Sequence, residues 1–95
     1  MVVSMIQLII ELPEIGSIKD KRRMVKSLKD KLIRRYRISM AEVDLHDSLT
    51  FTQLGGAVVS NSRQHGERVM QKALHFVEEE SLGRIQDVQI VSERF

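Results

Sequence analysis

Residues 17–37 read SIKDKRRMVKSLKDKLIRRYR, and their spacing decides the fold. Val25, Leu28, Leu32 and Tyr36 recur at helical intervals with Met24 beside them, the apolar stripe of an amphipathic helix. Ser17 stands where an N-cap belongs, and Asp20 follows at capping-box spacing. Strand signals lie on both sides. Residues 2–11 are rich in Val and Ile and run into the Pro/Gly loop ELPEIG, a buried strand and its exit. Beyond the helix, ISMAEVDLH alternates, with Ala41, Val43 and Leu45 on one face and Glu42, Asp44 and His46 on the other. HDSLT reads as a turn. FTQLGGAVVS is a third strand, interrupted by Gly55-Gly56. Ser60, Asn61 or Ser62 caps a second helix, marked by Val69, Met70, Ala73, Leu74 and Val77 and ending near Gly83. IQDVQIVS alternates as a fourth strand.

The order β-α-β-β-α-β predicts one domain over residues 1–95, an α/β (α+β) sandwich of ferredoxin-like type. Its four-stranded antiparallel sheet should run 4-1-3-2, with right-handed crossovers and both helices on one face. The other face should then present Met5, Ile9, Ala57 and Val59 to solvent or to a partner.

With 95 residues and a 42% apolar fraction, the chain can bury a single core without staples. It has no cysteine, which excludes disulfides, thiolate metal ligands and a thiol nucleophile. The apolar N-terminus MVVSMIQLII lacks a basic flank and a cleavage site and is too short to span a bilayer. A cytoplasmic location with no membrane partner is expected.

Charge is segregated. Residues 17–37 hold ten of the fifteen cations against Asp20 and Asp30, near +8, while the remainder is near −6. At about 100° per residue, Lys19, Arg23, Lys26, Asp30, Arg34 and Arg37 fall on one line opposite the apolar stripe, flanked by Arg22, Lys29 and Lys31. Such a line can follow phosphates and release counterions, so Lys19, Arg22, Arg23, Lys26, Lys29 and Arg34 are the candidate nucleic-acid contacts. The plainer reading is a solvated face that maintains solubility. Lys19, Lys21, Arg22 and Arg23 crowd the positive end of the helix dipole, a conflict that a bound anion would relieve. Glu78, Glu79 and Glu80 break the same rule at the C-terminus of the second helix. Lys21 projects into the apolar stripe and should snorkel or pair with a carboxylate.

Other constellations are weaker. Asp44, His46 and Asp47 could form a metal or acid–base cluster, but an edge strand running into a polar turn explains them. His65 and His75 share no helix face. Gly55-Gly56 matches no phosphate loop and reads better as a bulge or a close backbone approach. No partner for a nucleophilic serine is evident. No catalytic residue, metal ligand or cofactor is therefore assigned, and a non-enzymatic role is expected. The first and third strands lack the stacking aromatics of an RNA-recognition motif, with Phe51 alone, so RNA would have to bind through the first helix.

SIKDKRRMVKSLKDKL, ISMAEVDLHD and LGGAVVSN together resemble the YlxP-like family of small bacterial proteins, across Val2 to about Ser92. The resemblance implies a ferredoxin-like sandwich. Members are often encoded beside translation-initiation and ribosome-maturation factors, which implies work on ribosomal RNA or the small ribosomal subunit. Lys19, Lys21, Arg22, Arg23, Lys26 and Lys29 fall in the family's basic motif. Leu45 and Leu49 stand where members favour a His and an aromatic, which argues against chemistry at that turn. The expected function is an accessory protein binding ribosomal RNA or the small subunit through its basic first helix. The alternative is a homodimeric protein–protein interaction module with no nucleic-acid role.

Overall fold

The computed structural model describes residues 1–80 and 82–95. Its elements are β1 (Val2–Glu11), α1 (Ile18–Tyr36), β2 (Ser39–Asp44), β3 (Phe51–Ser60), α2 (Arg63–Glu80) and β4 (Arg84–Arg94). The sheet is antiparallel in the order β2-β3-β1-β4, the ferredoxin-like arrangement that the sequence predicts.

Side-chain alternation along β1 divides the sheet into two faces. Val2, Ser4, Ile6, Leu8 and Ile10 are buried. Ile6, Leu8 and Ile10 pack with Leu54 of β3, with Val25, Leu28 and Leu32 of α1, and with Met70, Ala73 and Val77 of α2, so both helices cover the same face. These apolar side chains leave water together and supply the main driving force for folding. Two serines meet inside this layer, where the Ser4 and Ser92 hydroxyls pair at 2.7 Å and satisfy each other.

Each helix begins as its sequence dictates. The Ser17 hydroxyl accepts from the Asp20 N–H at 3.2 Å, and the Ser62 hydroxyl accepts from the His65 N–H at 3.2 Å. Helix α1 ends at Arg37, in the left-handed region at φ 54°, where its N–H bonds the Ile33 carbonyl. Helix α2 reaches Glu80; Ser81, just before the expected end near Gly83, lies outside the described residues.

The glycine pair serves close packing, and the ladder of β3 with β1 runs through it without a break. A Cβ on Gly56 would lie 2.3 Å from Met40 Sδ and 3.1 Å from Ile6 Cγ2, so glycine lets β2 and β1 close over that point. The irregularities sit on the edge strands instead, between Glu42 and Asp44 in β2 and opposite the Ile9/Ile10 step in β4. In β4 the extra residue is Gln86, which restores Ile85 to the helix side.

One expectation is reversed. Along β2 the helix side takes Met40 and Glu42, while Ala41 and Val43 face outwards and are exposed. The alternation is as read, but its polar member points inwards because a buried cation waits there.

Candidate nucleic-acid interface

That cation is Lys21. Its side chain is 1% exposed, one helical turn into α1. Its Nζ donates to the Leu45 carbonyl at 2.5 Å and the His46 carbonyl at 3.3 Å, and lies 3.3 Å from Glu42 Oε2. The Thr52 hydroxyl donates to the same carboxylate oxygen at 2.5 Å. Pairing rather than snorkelling is the outcome, and among the described residues no buried side-chain nitrogen or oxygen is left without a partner. Leu45 adopts φ 63°, and its N–H bonds the Asp44 carboxylate at 2.7 Å, which turns its carbonyl towards Lys21. The expectation that Leu45 continues the alternation of β2 fails for this reason.

Asp44 and His46 are thereby accounted for in the turn. The His46 ring nitrogen Nε2 lies 3.0 Å from the Glu42 carbonyl oxygen. Ser48 closes the turn, its hydroxyl accepting from the N–H groups of Thr50 and Phe51. Among the described residues, no three His, Asp or Glu side chains are grouped as a metal would require.

The opposite side of α1 is open. Lys19, Arg22, Arg23, Lys26 and Arg34 are exposed, and Lys29 is half-buried. Arg37 stands just past the helix as its C-cap. Within the line Lys26 donates to Asp30 at 2.7 Å. That hydrogen bond, with the charges of Lys26, Lys29 and Arg34, holds the Asp30 carboxyl below the usual carboxylate range.

The helices run antiparallel. Lys31, midway along α1, reaches Glu80 at the end of α2 at 3.5 Å. Arg35, in the last turn of α1, lies over the Phe76 ring at 5.2 Å and the Tyr36 ring at 5.8 Å, and the two rings meet edge to face at 5.9 Å. Three depressions follow the seam. The first is lined by Arg23, Lys31 and Glu80. The second has Arg34, Arg35 and Phe76. The third, of 860 Å³, lies between the C-terminal turns of α1 and the N-terminal half of α2.

The bare sheet face carries Met5, Ile9, Ala57 and Val59, with Val43 and Val91 beside them. Val43, Val59 and Val91 are 48%, 63% and 47% exposed, so this face leaves several aliphatic side chains uncovered.

The pattern of the protein family described as "Protein of unknown function (DUF503)" matches residues 3–90. The chain belongs to this family. The match spans every element from β1 into β4, so it includes the basic helix and the buried Lys21 cluster. A curated relative, Uncharacterized protein YlxP of Bacillus subtilis (strain 168), is 32% identical over 63 residues, covering 66% of this chain and 68% of that protein. Among solved structures, protein YJCS aligns with a TM-score of 0.57 at 9% identity, over 98% of both chains. A dimeric protein of unknown function and ferredoxin-like fold from Bacteroides fragilis aligns with a TM-score of 0.50 at 14% identity, over 99% of this chain and 96% of that one. At these identities the solved structures establish the fold alone. No helix among the described residues is long and apolar enough to cross a membrane.

Proposed function

We propose that this protein is a non-enzymatic accessory factor that binds ribosomal RNA or the small ribosomal subunit through the basic face of α1. The observation that carries the reading is the exposed row of Lys19, Arg23, Lys26 and Arg34, flanked by Arg22, on a helix whose outward line contains one carboxylate, Asp30. Cations held on a rigid helix can each neutralise a phosphate, and the released counterions drive binding. Phosphate contacts position without reading bases, so affinity should depend strongly on salt and weakly on sequence. The test replaces Arg23, Lys26 and Arg34 together by Gln, which retains good helix formers on an exposed face. The slope of log affinity for ribosomal RNA against log salt should fall by about 2–3 units. A folded triple variant with unchanged affinity and slope would reduce the helix to a solvated face.

A second reading concerns assembly. The aliphatic face of the sheet supports a homodimer in which two such faces bury one another, and one structural neighbour is itself described as dimeric. The helices lie on the far side, so this interface would leave α1 free to bind. Light scattering at micromolar protein should give twice the chain mass, and Val59→Lys should return it to the monomer. A wild-type monomer at that concentration would eliminate the dimer.

A further inference from the structure

The antiparallel helices change where the uncompensated positive charge lies. From the sequence, the conflict with the helix dipole sits at the N-terminus of α1. In the fold the acidic C-terminus of α2 lies against α1, where Glu80 reaches Lys31, midway along the helix, and lines the same depression as Arg23. Glu80 thus sets one acid of α2 beside this part of the basic helix. The opposite end differs. Its 860 Å³ groove is lined by Arg35, Tyr36, His65, Arg68, Lys72 and His75, together with Val69 and Gln71, and no carboxylate is among the lining residues. The lining residue His75 pairs with Glu79 at 2.9 Å. Three formal cations from two helices converge on a concavity within the 300–1,000 Å³ range of ligand sites.

We propose that this groove seats a single-stranded RNA segment, with phosphates on Arg68 and Lys72 and a base against the Arg35 guanidinium. The assignment rests on the RNA-binding reading above and deepens it, moving the centre of the footprint from the start of α1 to the junction of its end with α2. Two observations select a single strand over a duplex. Arg35 is already held against the Phe76 and Tyr36 rings, so its planar group loses little freedom when a base stacks on it. And a concave groove admits a splayed base, whereas a duplex keeps its bases stacked and presents phosphates on a convex surface.

The experiment measures binding of the full chain to a fluorescent oligouridylate and to a blunt RNA duplex across a salt series, with circular dichroism confirming each variant's fold. Arg68→Gln with Lys72→Gln should lower the oligouridylate salt slope by about 1.4, at 0.7 for each lost single-strand phosphate contact. Arg35→Lys keeps the charge and loses the plane, so affinity should fall about fivefold or more with the slope unchanged. Wild-type protein should prefer the single strand. If the Arg68/Lys72 variant retains its slope while the α1 triple variant loses its own, the groove assignment fails and the α1 footprint stands. If neither variant changes, both readings fail. Equal affinity for the duplex, or an Arg35→Lys variant as tight as wild type, would overturn the stacking role.

Discussion

Helix α1 carries the same residue type to two opposite ends. Lys21 points inwards, is almost wholly shielded, and has a carboxylate and two carbonyls around its ammonium. Lys26, little more than a turn further on, points outwards, is 72% exposed and meets one carboxylate. The inward lysine ties α1 to the β2–β3 turn, and its environment is complete without a ligand. The outward line of Lys19, Arg23, Lys26 and Arg34 stays exposed, with Lys26 bonded only to Asp30 of its own helix, and remains accessible to a partner. Burial, rather than residue type, separates the cation that builds the molecule from the cations that can act for it.

The largest expected effect breaks the inward half of that comparison. Lys21→Met leaves the Glu42 carboxylate facing the core without its cation and two carbonyls without their donor. Removing one partner of a buried pair costs about 3–5 kcal/mol, and the midpoint of urea unfolding should fall accordingly. Adding Glu42→Leu should recover most of the loss, because an apolar pair leaves little buried charge uncompensated. A single variant as stable as wild type would mean that the cluster is solvated in solution.

Most of the architecture was legible before any coordinates. Local signals set the element order: apolar periodicity for α1 and α2, Ser17 at the first cap, one of Ser60, Asn61 and Ser62 at the second, where the structure selects Ser62, and alternation for the strands. Topological rules then left one favoured sheet order, the one observed. What the sequence could not place was long-range pairing. Glu42 looks like the outward member of β2 because its inward partner is 21 positions earlier on a helix. The groove was hidden for the same reason. Arg68 and Lys72 belong to a segment of net negative charge, and only the antiparallel packing of α2 on α1 sets its basic half beside Arg35 and its acidic end beside Lys31. The basic line of α1 was visible as a periodic pattern, since it depends on one helix alone.

A smaller effect sharpens the comparison at the helix start. Ser17→Ala removes the acceptor for the Asp20 N–H in the turn from which Lys21 enters the core. A lost N-cap costs about 1 kcal/mol, visible as a lower urea midpoint with an unchanged slope. Smaller still should be the stability change in the Arg23/Lys26/Arg34 triple Gln variant. Exposed substitutions of this kind stay within about 0.5 kcal/mol of wild type. The contrast with Lys21→Met is the point of that measurement. A triple variant that unfolds at markedly lower urea would show that the outward cations support the fold, and the division between the two sides of α1 would collapse.

The finest effect follows the one acid in the outward line. Hydrogen bonding from Lys26 leads the causes that lower the Asp30 pKa, with the charges of Lys26, Lys29 and Arg34 adding to it. A carboxylate whose folded pKa is lowered contributes its stability above the unfolded value, about 3.9 for Asp, and loses it as pH falls through the folded value. The small stability difference between wild type and Lys26→Gln should therefore be present at neutral pH and fade in acid. Carboxyl-carbon NMR shifts should place the Asp30 titration below the ordinary range in wild type and nearer to it in Lys26→Gln. RNA supplies the sharper test, because a phosphate on Lys26 competes with Asp30 for the same ammonium. Bound RNA should then raise the Asp30 pKa, by losing it the hydrogen bond and by setting a like charge beside it. An Asp30 titration that RNA leaves unmoved, while the oligonucleotide demonstrably binds, would remove Lys26 from the footprint and confine the contacts to the far end of the helix.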